Sequence, residues 1–271
     1  MGVAVEYAEF GPVKRWRVSR TVLGRPLFYA AVFWLDGVVI DAGPATAWEA
    51  VEPALAKLTV KTVIVTHHHE DHGGNAGRIA ARFGCPVLAH ASGLGMLASE
   101  DWRLGLYRQV VWGTPGVVKA APIGGEVVTE RYRLRILETP GHAVDHVAVY
   151  EPTEGLLFTG DLFLSERLKF MREDEDLSQE AASLERLLAF PSARLFCCHN
   201  PKVYDDHRAA VAAKLEHFRG LRTRALAMRA DGLEVDRISR ELLGREEFLY
   251  WVSRGRLSKR NLVEKLLAWD G

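Results

Sequence analysis

Thr66-His67-His68-His69-Glu70-Asp71-His72-Gly73-Gly74 is the stretch on which the fold turns. It follows Thr62–Thr66, a short β-branched apolar run that reads as a buried strand. His67 and His69 are two apart, so an extended chain points both to one side. Asp71 and His72 fall at the start of the next helix and can turn back toward the same point. His67, His69, Asp71 and His72 thus crowd four candidate ligands into six residues. Such a cluster is costly to hold without a cation, because binding is what offsets the packing of imidazoles and carboxylates.

Three further features fall at strand ends. Thr139-Pro140-Gly141-His142 follows the strand expected at Arg133–Glu138. Phe158-Thr159-Gly160-Asp161 closes a strand at Leu156–Thr159, and Phe196-Cys197-Cys198-His199 ends one at Leu195–Cys198. Each puts a strong ligand just beyond a buried strand, where α/β folds usually build their sites. The zincin pattern H-E-x-x-H is not met, since Gly73 stands four after His69.

The set His67-x-His69-x-Asp71-His72, then His142, Asp161 and His199, resembles the metallo-β-lactamase superfamily over roughly residues 1–200. The turn Asp41-Ala42-Gly43 is similar to that family's early Asp-x-Gly turn. The resemblance implies an α/β (α+β) fold, a four-layer αββα sandwich with the metal site along one edge of two sheets. It implies one metal on His67, His69 and His142, a second on Asp71, His72 and His199, and Asp161 bridging them. A bridging carboxylate belongs to the glyoxalase II, lactonase and nuclease branches and is lacking in true β-lactamases. Glyoxalase II usually has glycine on either side of its last histidine, whereas His199 sits between Cys198 and Asn200. Lactonases commonly have a tyrosine three residues after the bridging Asp, and here that position is Leu164.

Imidazole and carboxylate donors without thiolate suit Zn²⁺, with Fe²⁺ or Mn²⁺ as alternatives. The expected activity is a di-zinc hydrolase that uses a metal-bridging hydroxide on a small ester or thioester. A lactonase or an endoribonuclease is the alternative. Zinc brings the pKa of bound water from 15.7 to about 7, which makes the nucleophile at neutral pH. Asp71 is the expected catalytic residue, orienting that nucleophile and passing a proton to the leaving group. His68 should point away from the ligands, and Glu70 should face solvent or serve as a helix N-terminal charge. Trp102, Tyr107 and Trp112, within the long segment Gly93–Gly125, could wall a substrate. Ser165–Asp176 reads as a salt-bridged loop near the site.

The remaining features set the context. The chain has 271 residues, 35 basic and 35 acidic, with 48% hydrophobic and 26% charged, an ordinary globular composition. Zero net charge argues against a general polyanion binder. Three cysteines, two of them adjacent, argue against a disulfide framework. The longest apolar run, Leu27 to Leu35, is far short of the roughly 20 residues a spanning helix needs. A cytoplasmic protein is expected, with a small-molecule acyl substrate, RNA as the alternative partner, and a dimer as one open assembly. After about residue 201 the strand signals give way to helices. Residues 1–200 are read as the catalytic domain and 201–271 as a helical, winged-helix-like extension. Its helices are expected at Arg208–Phe218, Leu233–Leu243, Glu246–Val252 and Ser258–Ala268. The extension holds 15 Lys and Arg against 11 Asp and Glu, a mild excess that reads as a solvated surface.

Overall fold

The computed structural model describes residues 2–102 and 104–271. The buried strands carry apolar residues on both faces, and those faces separate three cores. In Val38–Ile40 and Thr62–Ile64, Ile40 and Ile64 point one way and Val39 and Val63 the other. In Leu156–Phe158 and Arg194–Phe196, Phe158 and Phe196 oppose Leu157 and Leu195 in the same manner. A period of two on a strand with apolar residues throughout demands cover on both sides.

The first sheet has eight strands. The edge strand Gly2–Phe10 pairs with Val13–Val22, and Ala30–Leu35, Val38–Ile40, Thr62–Ile64, Val87–Ala89 and Ala120–Pro122 follow in order. The short strand Arg25–Pro26 pairs on Val13–Val22. The second sheet runs Arg194–Phe196, Leu156–Phe158, Val147–Glu151, Arg133–Glu138 and Glu126–Val128. Between the sheets lie Phe33, Phe158 and Phe196, with the last two rings stacked 5.0 Å apart. The helices Trp48–Leu55 and Ala76–Phe83 cover the outer face of the first sheet through Val51, Leu55 and Ile79. The helices Leu177–Leu187, His207–Ala230 and Lys259–Ala268 cover the second through Leu184, Leu215, Phe218 and Leu262. The layers are therefore helix, sheet, sheet, helix, as expected.

Beyond residue 201 the structure departs from the sequence reading in two places. The helix expected at Arg208–Phe218 runs on to Ala230, because Leu221 and Ala225 continue its buried stripe. A two-residue strand, Leu257–Ser258, stands where only helices were expected. It pairs antiparallel with Met171–Arg172, a register too short to leave a periodic signal. Ser258 caps the last helix as expected, its Oγ accepting from the Asn261 N–H.

The helix His207–Ala230 is pinned by a buried charge. Lys214 donates to Glu180 at 2.7 Å and to the Leu162 carbonyl at 2.7 Å, with the two side chains 1% and 3% exposed. Burial pushes the Glu180 carboxyl up, and Lys214 opposes it. Removing one partner of such a pair costs ~3–5 kcal/mol, while replacing both with apolar groups is nearly neutral. Lys214→Met should therefore lower the urea midpoint strongly, and Lys214→Met with Glu180→Leu should restore most of it. Equal losses in the single and double variants would refute this account.

Candidate metal centre

The loops that leave the strand ends meet at one edge of the sandwich. Thr66 ends the buried strand segment, and its backbone N–H and hydroxyl are both held by the Asp41 carboxylate. His67 and His69 then emerge on one side, with His67 Nε2 2.8 Å from His69 Nδ1. The short helix Glu70–Gly73 returns Asp71 and His72 to the same point. Gly74 lets this loop dock on the Asp41 turn, since a Cβ there would meet the Ala45 nitrogen at 2.6 Å. Asn75 completes the seam by donating to the Pro44 carbonyl.

The other ligand types arrive from the second sheet. His142 Nε2 lies 3.2 Å from His69 Nδ1 and 3.4 Å from Asp161 Oδ2. Gly160 brings the Asp161 backbone close, at φ +47°, where a Cβ would lie 2.7 Å from His146 Nε2. His199 Nε2 sits 3.1 Å from Asp71 Oδ2 and 3.2 Å from Asp161 Oδ2. His72 Nε2 is 3.3 Å from Asp161 Oδ1 and 3.8 Å from Asp71 Oδ2. All seven sequence-predicted residues thus converge, with the Asp161 carboxylate between a His67–His69–His142 group and a His72–His199–Asp71 group.

The imidazoles are anchored from behind. His72 Nδ1 contacts Asp41 Oδ2 at 2.8 Å, and His142 Nδ1 contacts Glu175 Oε1 at 2.7 Å. His199 Nδ1–H donates to the Tyr29 carbonyl at 2.6 Å, and His67 Nδ1 meets Thr66 Oγ1 at 3.1 Å. Outer contacts of this kind fix the ring and leave the inner nitrogen free to ligate. Arg17 and Arg15 hold the His199 loop by donating to the carbonyls of His199 and Pro201.

Neighbouring residues divide between the expected and the unexpected. His68 turns away as expected, and Asp145 accepts from both its backbone N–H and its ring. His146 is buried and accepts the Asp161 N–H at 3.2 Å, while its Nδ1–H donates to Thr139. Burial holds that ring neutral, with a pKa of about 3. Glu70 opens the short helix Glu70–Gly73, one of its two expected places, but is not solvent-facing. It is buried against Arg108, a partner 38 positions away. The 165–176 loop is ion-paired through Arg172 and Asp174, but Glu175 leaves that pairing for His142. Glu175 reads in the sequence as one of four salt-bridging acids with Glu173, Asp174 and Asp176, and its contact with His142 is hidden because that partner is remote. Cys198 is buried with its sulfur engaged by the Ala31 backbone, yet it lies within 4.8 Å of the donor atoms of His72, Asp161 and His199.

The electrostatics point to a cation. Burial drives His67 and His69 well below the ordinary imidazole range, so each ring is neutral and has a lone pair to offer a cation. His72 Nε2 and Asp161 Oδ1 are buried without a hydrogen-bond partner, although they face each other. Burial opposes charge on His72 and His199, but the carboxylates of Asp41, Asp71 and Asp161 outweigh it and raise both rings well above their usual value. Burial likewise opposes charge on Asp71, and His72 and His199 bring it down to about 2. Neutral imidazoles, two buried polar atoms without partners and ionised carboxylates together fit a divalent metal. His67 and His72 are fully enclosed, whereas His199 is 25% exposed and opens the cluster to a cleft.

A sequence profile of the metallo-beta-lactamase superfamily matches residues 35–199. The chain belongs to this superfamily. It is 30% identical over 191 residues to the hydroxyacylglutathione hydrolase of Rhodospirillum rubrum, covering 68% of this chain and 64% of that protein. It is 33% identical over 193 residues to the enzyme of the same name from Acidiphilium cryptum, covering 68% and 71%. The match therefore spans less than two thirds of the Rhodospirillum protein. A beta-lactamase domain protein from Burkholderia ambifaria has the same fold, with a TM-score of 0.65, 20% identity, and coverage of 98% of this chain and 86% of that one. That likeness includes the helices after residue 201. Among the described residues no helix is long and apolar enough to cross a membrane.

Groups whose pKa is raised are protonated below it, so at neutral pH the metal-free cluster carries protons on His72 and His199. A divalent cation must displace them. Binding should release protons at pH 7, and affinity should fall as pH is lowered. Calorimetric titration in buffers of different ionisation enthalpy measures this release. Zero release at pH 7 would contradict the assigned charge states.

Proposed function

We propose that this protein is a two-metal hydrolase that cleaves a small acyl thioester. The observation that carries the reading is the Asp161 carboxylate standing between two groups of converging donors, one of its oxygens unpartnered against His72. His67, His69 and His142 would hold one cation. Asp71, His72 and His199 would hold the second, and Asp161 would be shared. Zinc is the metal we favour, since the donors are imidazole and carboxylate, and this set also suits Fe²⁺ or Mn²⁺. When bound, such a pair supplies a polarised carbonyl and a water whose pKa falls to about 7.

The chain's own groups favour a thioester. Asp71, as a ligand of the second cation, would stay a carboxylate at neutral pH. It can accept a hydrogen bond and so orient a water, but it is a poor proton donor. A thiol leaves with a pKa of about 8.5 and needs little help, whereas an alcohol or amine needs a proton. The proton transfer first expected of Asp71 is thus unnecessary for this substrate class. Leu164 lines the cleft and offers no phenol where a lactonase would place one. Arg108 and Arg172 also line it, each facing a carboxylate, Glu70 and Asp174, so neither is a free anchor for an RNA phosphate. The names of the two hydroxyacylglutathione hydrolases support the same class.

Metal-reconstituted protein should hydrolyse acyl thioesters. Asp71→Asn, assayed at metal concentrations high enough to fill both sites, should lower kcat by about 10²–10⁴-fold with KM little changed. Full turnover in that variant would remove Asp71 from catalysis. No turnover of any thioester with two metals bound would overturn the proposed function. Glu175→Gln should weaken metal binding by about 10–100-fold through the loosened His142 ring. A competition titration with a chromogenic chelator reads this directly, and unchanged affinity would assign Glu175 to folding alone.

A further inference from the structure

The cleft at the metal centre has a volume of about 150 Å³. Its wall beyond the ligands is largely apolar, from Tyr107, Trp112, Leu164, Leu168, Phe170 and Leu257. The two arginines in the wall are charge-compensated by Glu70 and Asp174, so they do not call for an anionic ligand. Leu257 comes from the C-terminal segment and is fixed there by its strand. Its neighbours pair Met171 with Ser258 and Arg172 with Leu257, and the Glu173 N–H donates to the Arg256 carbonyl at 2.8 Å. Asn261 ties both sides together by donating to the carbonyls of Met171 and Arg256. The wall is therefore a built surface with a definite size.

We propose that this cleft takes a short apolar acyl chain of at most about six carbons, and that Leu257 limits its length. The proposal rests on the thioesterase reading above and names the substrate class for that site. The volume includes the space between His69, His142, Asp161 and His199, so what is left to an acyl group is no larger than the six-carbon hydrocarbon that an enclosed apolar cavity near 150 Å³ accommodates. A bulky polar thiol portion exceeds that space and would lie toward solvent at His199. Burial of each methylene then strengthens binding until the wall is reached. A hydroxylated acyl group would instead place its hydroxyl against leucine and phenylalanine, which costs free energy unless it is hydrogen-bonded.

The test is kcat/KM for metal-loaded protein with acetyl, butyryl, hexanoyl, octanoyl and decanoyl thioesters of N-acetylcysteamine. Lactoylglutathione and hexanoylglutathione serve as comparators. The expected profile rises by up to about fourfold per methylene to hexanoyl, then falls. Hexanoylglutathione should exceed lactoylglutathione. Leu257→Trp should lower the hexanoyl-to-acetyl ratio at least tenfold, and Leu257→Ala should move the optimum toward octanoyl. A flat profile, a continued rise to decanoyl, or a preference for lactoylglutathione would overturn the acyl assignment while leaving thioester hydrolysis standing. An unchanged profile in both folded variants would remove Leu257 as the limit. If the variants fail to fold, the wild-type profile still decides the acyl assignment. Hydrolysis of none of the thioesters would instead overturn the underlying function together with this proposal.

Discussion

Asp161 is the residue on which the whole site depends, because its one carboxylate faces both donor groups at once. The approach of His72 from the first sheet and of His142 and His199 from the second makes sense only around it. Its backbone is set by Gly160, which permits close approach to His146, and by the His146 ring that accepts its N–H. The Asp161 carboxylate thus links donors that arrive from both sheets. Without a metal, protons on His72 and His199 offset the charge of Asp71 and Asp161. The hydrogen bonds behind His67, His72, His142 and His199 keep those donors aimed.

Those outer bonds come from every part of the chain. Asp41 acts from the first sheet, Tyr29 from the segment preceding the strand Ala30–Leu35, and Glu175 from the segment before the helix Leu177–Leu187. The Lys214–Glu180 pair ties that helix to the carbonyl of Leu162, next to Asp161. A charge buried on the far side of the second sheet is thereby connected to the loop that carries the shared carboxylate. The helices after residue 201 share this core rather than merely lying beside it, through Val211, Leu215, Leu262 and Leu266.

The layered fold and the seven converging residues were legible in the sequence because strands and ligands there follow local rules. His67 and His69 obey a period of two, and Asp161 and His199 follow apolar runs directly. What stayed illegible depends on distant partners. Glu70 looked like a surface charge until Arg108 covered it, and Glu175 looked like one more acid among four. The opening hairpin hid for a related reason. Arg15-Trp16-Arg17-Val18-Ser19 alternates like a strand with one wet face, but Arg15 and Arg17 point inward to the His199 loop and both faces are buried. The strand Leu257–Ser258 has only two residues, and its existence is decided by Met171–Arg172 rather than by its own composition.

That last pairing has a consequence for how the molecule is made. The ribosome delivers a chain from its N-terminus, and the earlier parts organise first. His199, the last of the converging residues, emerges 58 positions before Leu257. Until Leu257 and Ser258 arrive, the backbone of Met171 and Arg172 has no strand partner, and the segment leading to Glu175 lacks the Lys265 ammonium that grips its carbonyls. The nascent protein therefore passes through a stage in which every inner donor has been synthesised but the brace behind His142 is still loose. The mature geometry is acquired late, as the final helices close over the second sheet.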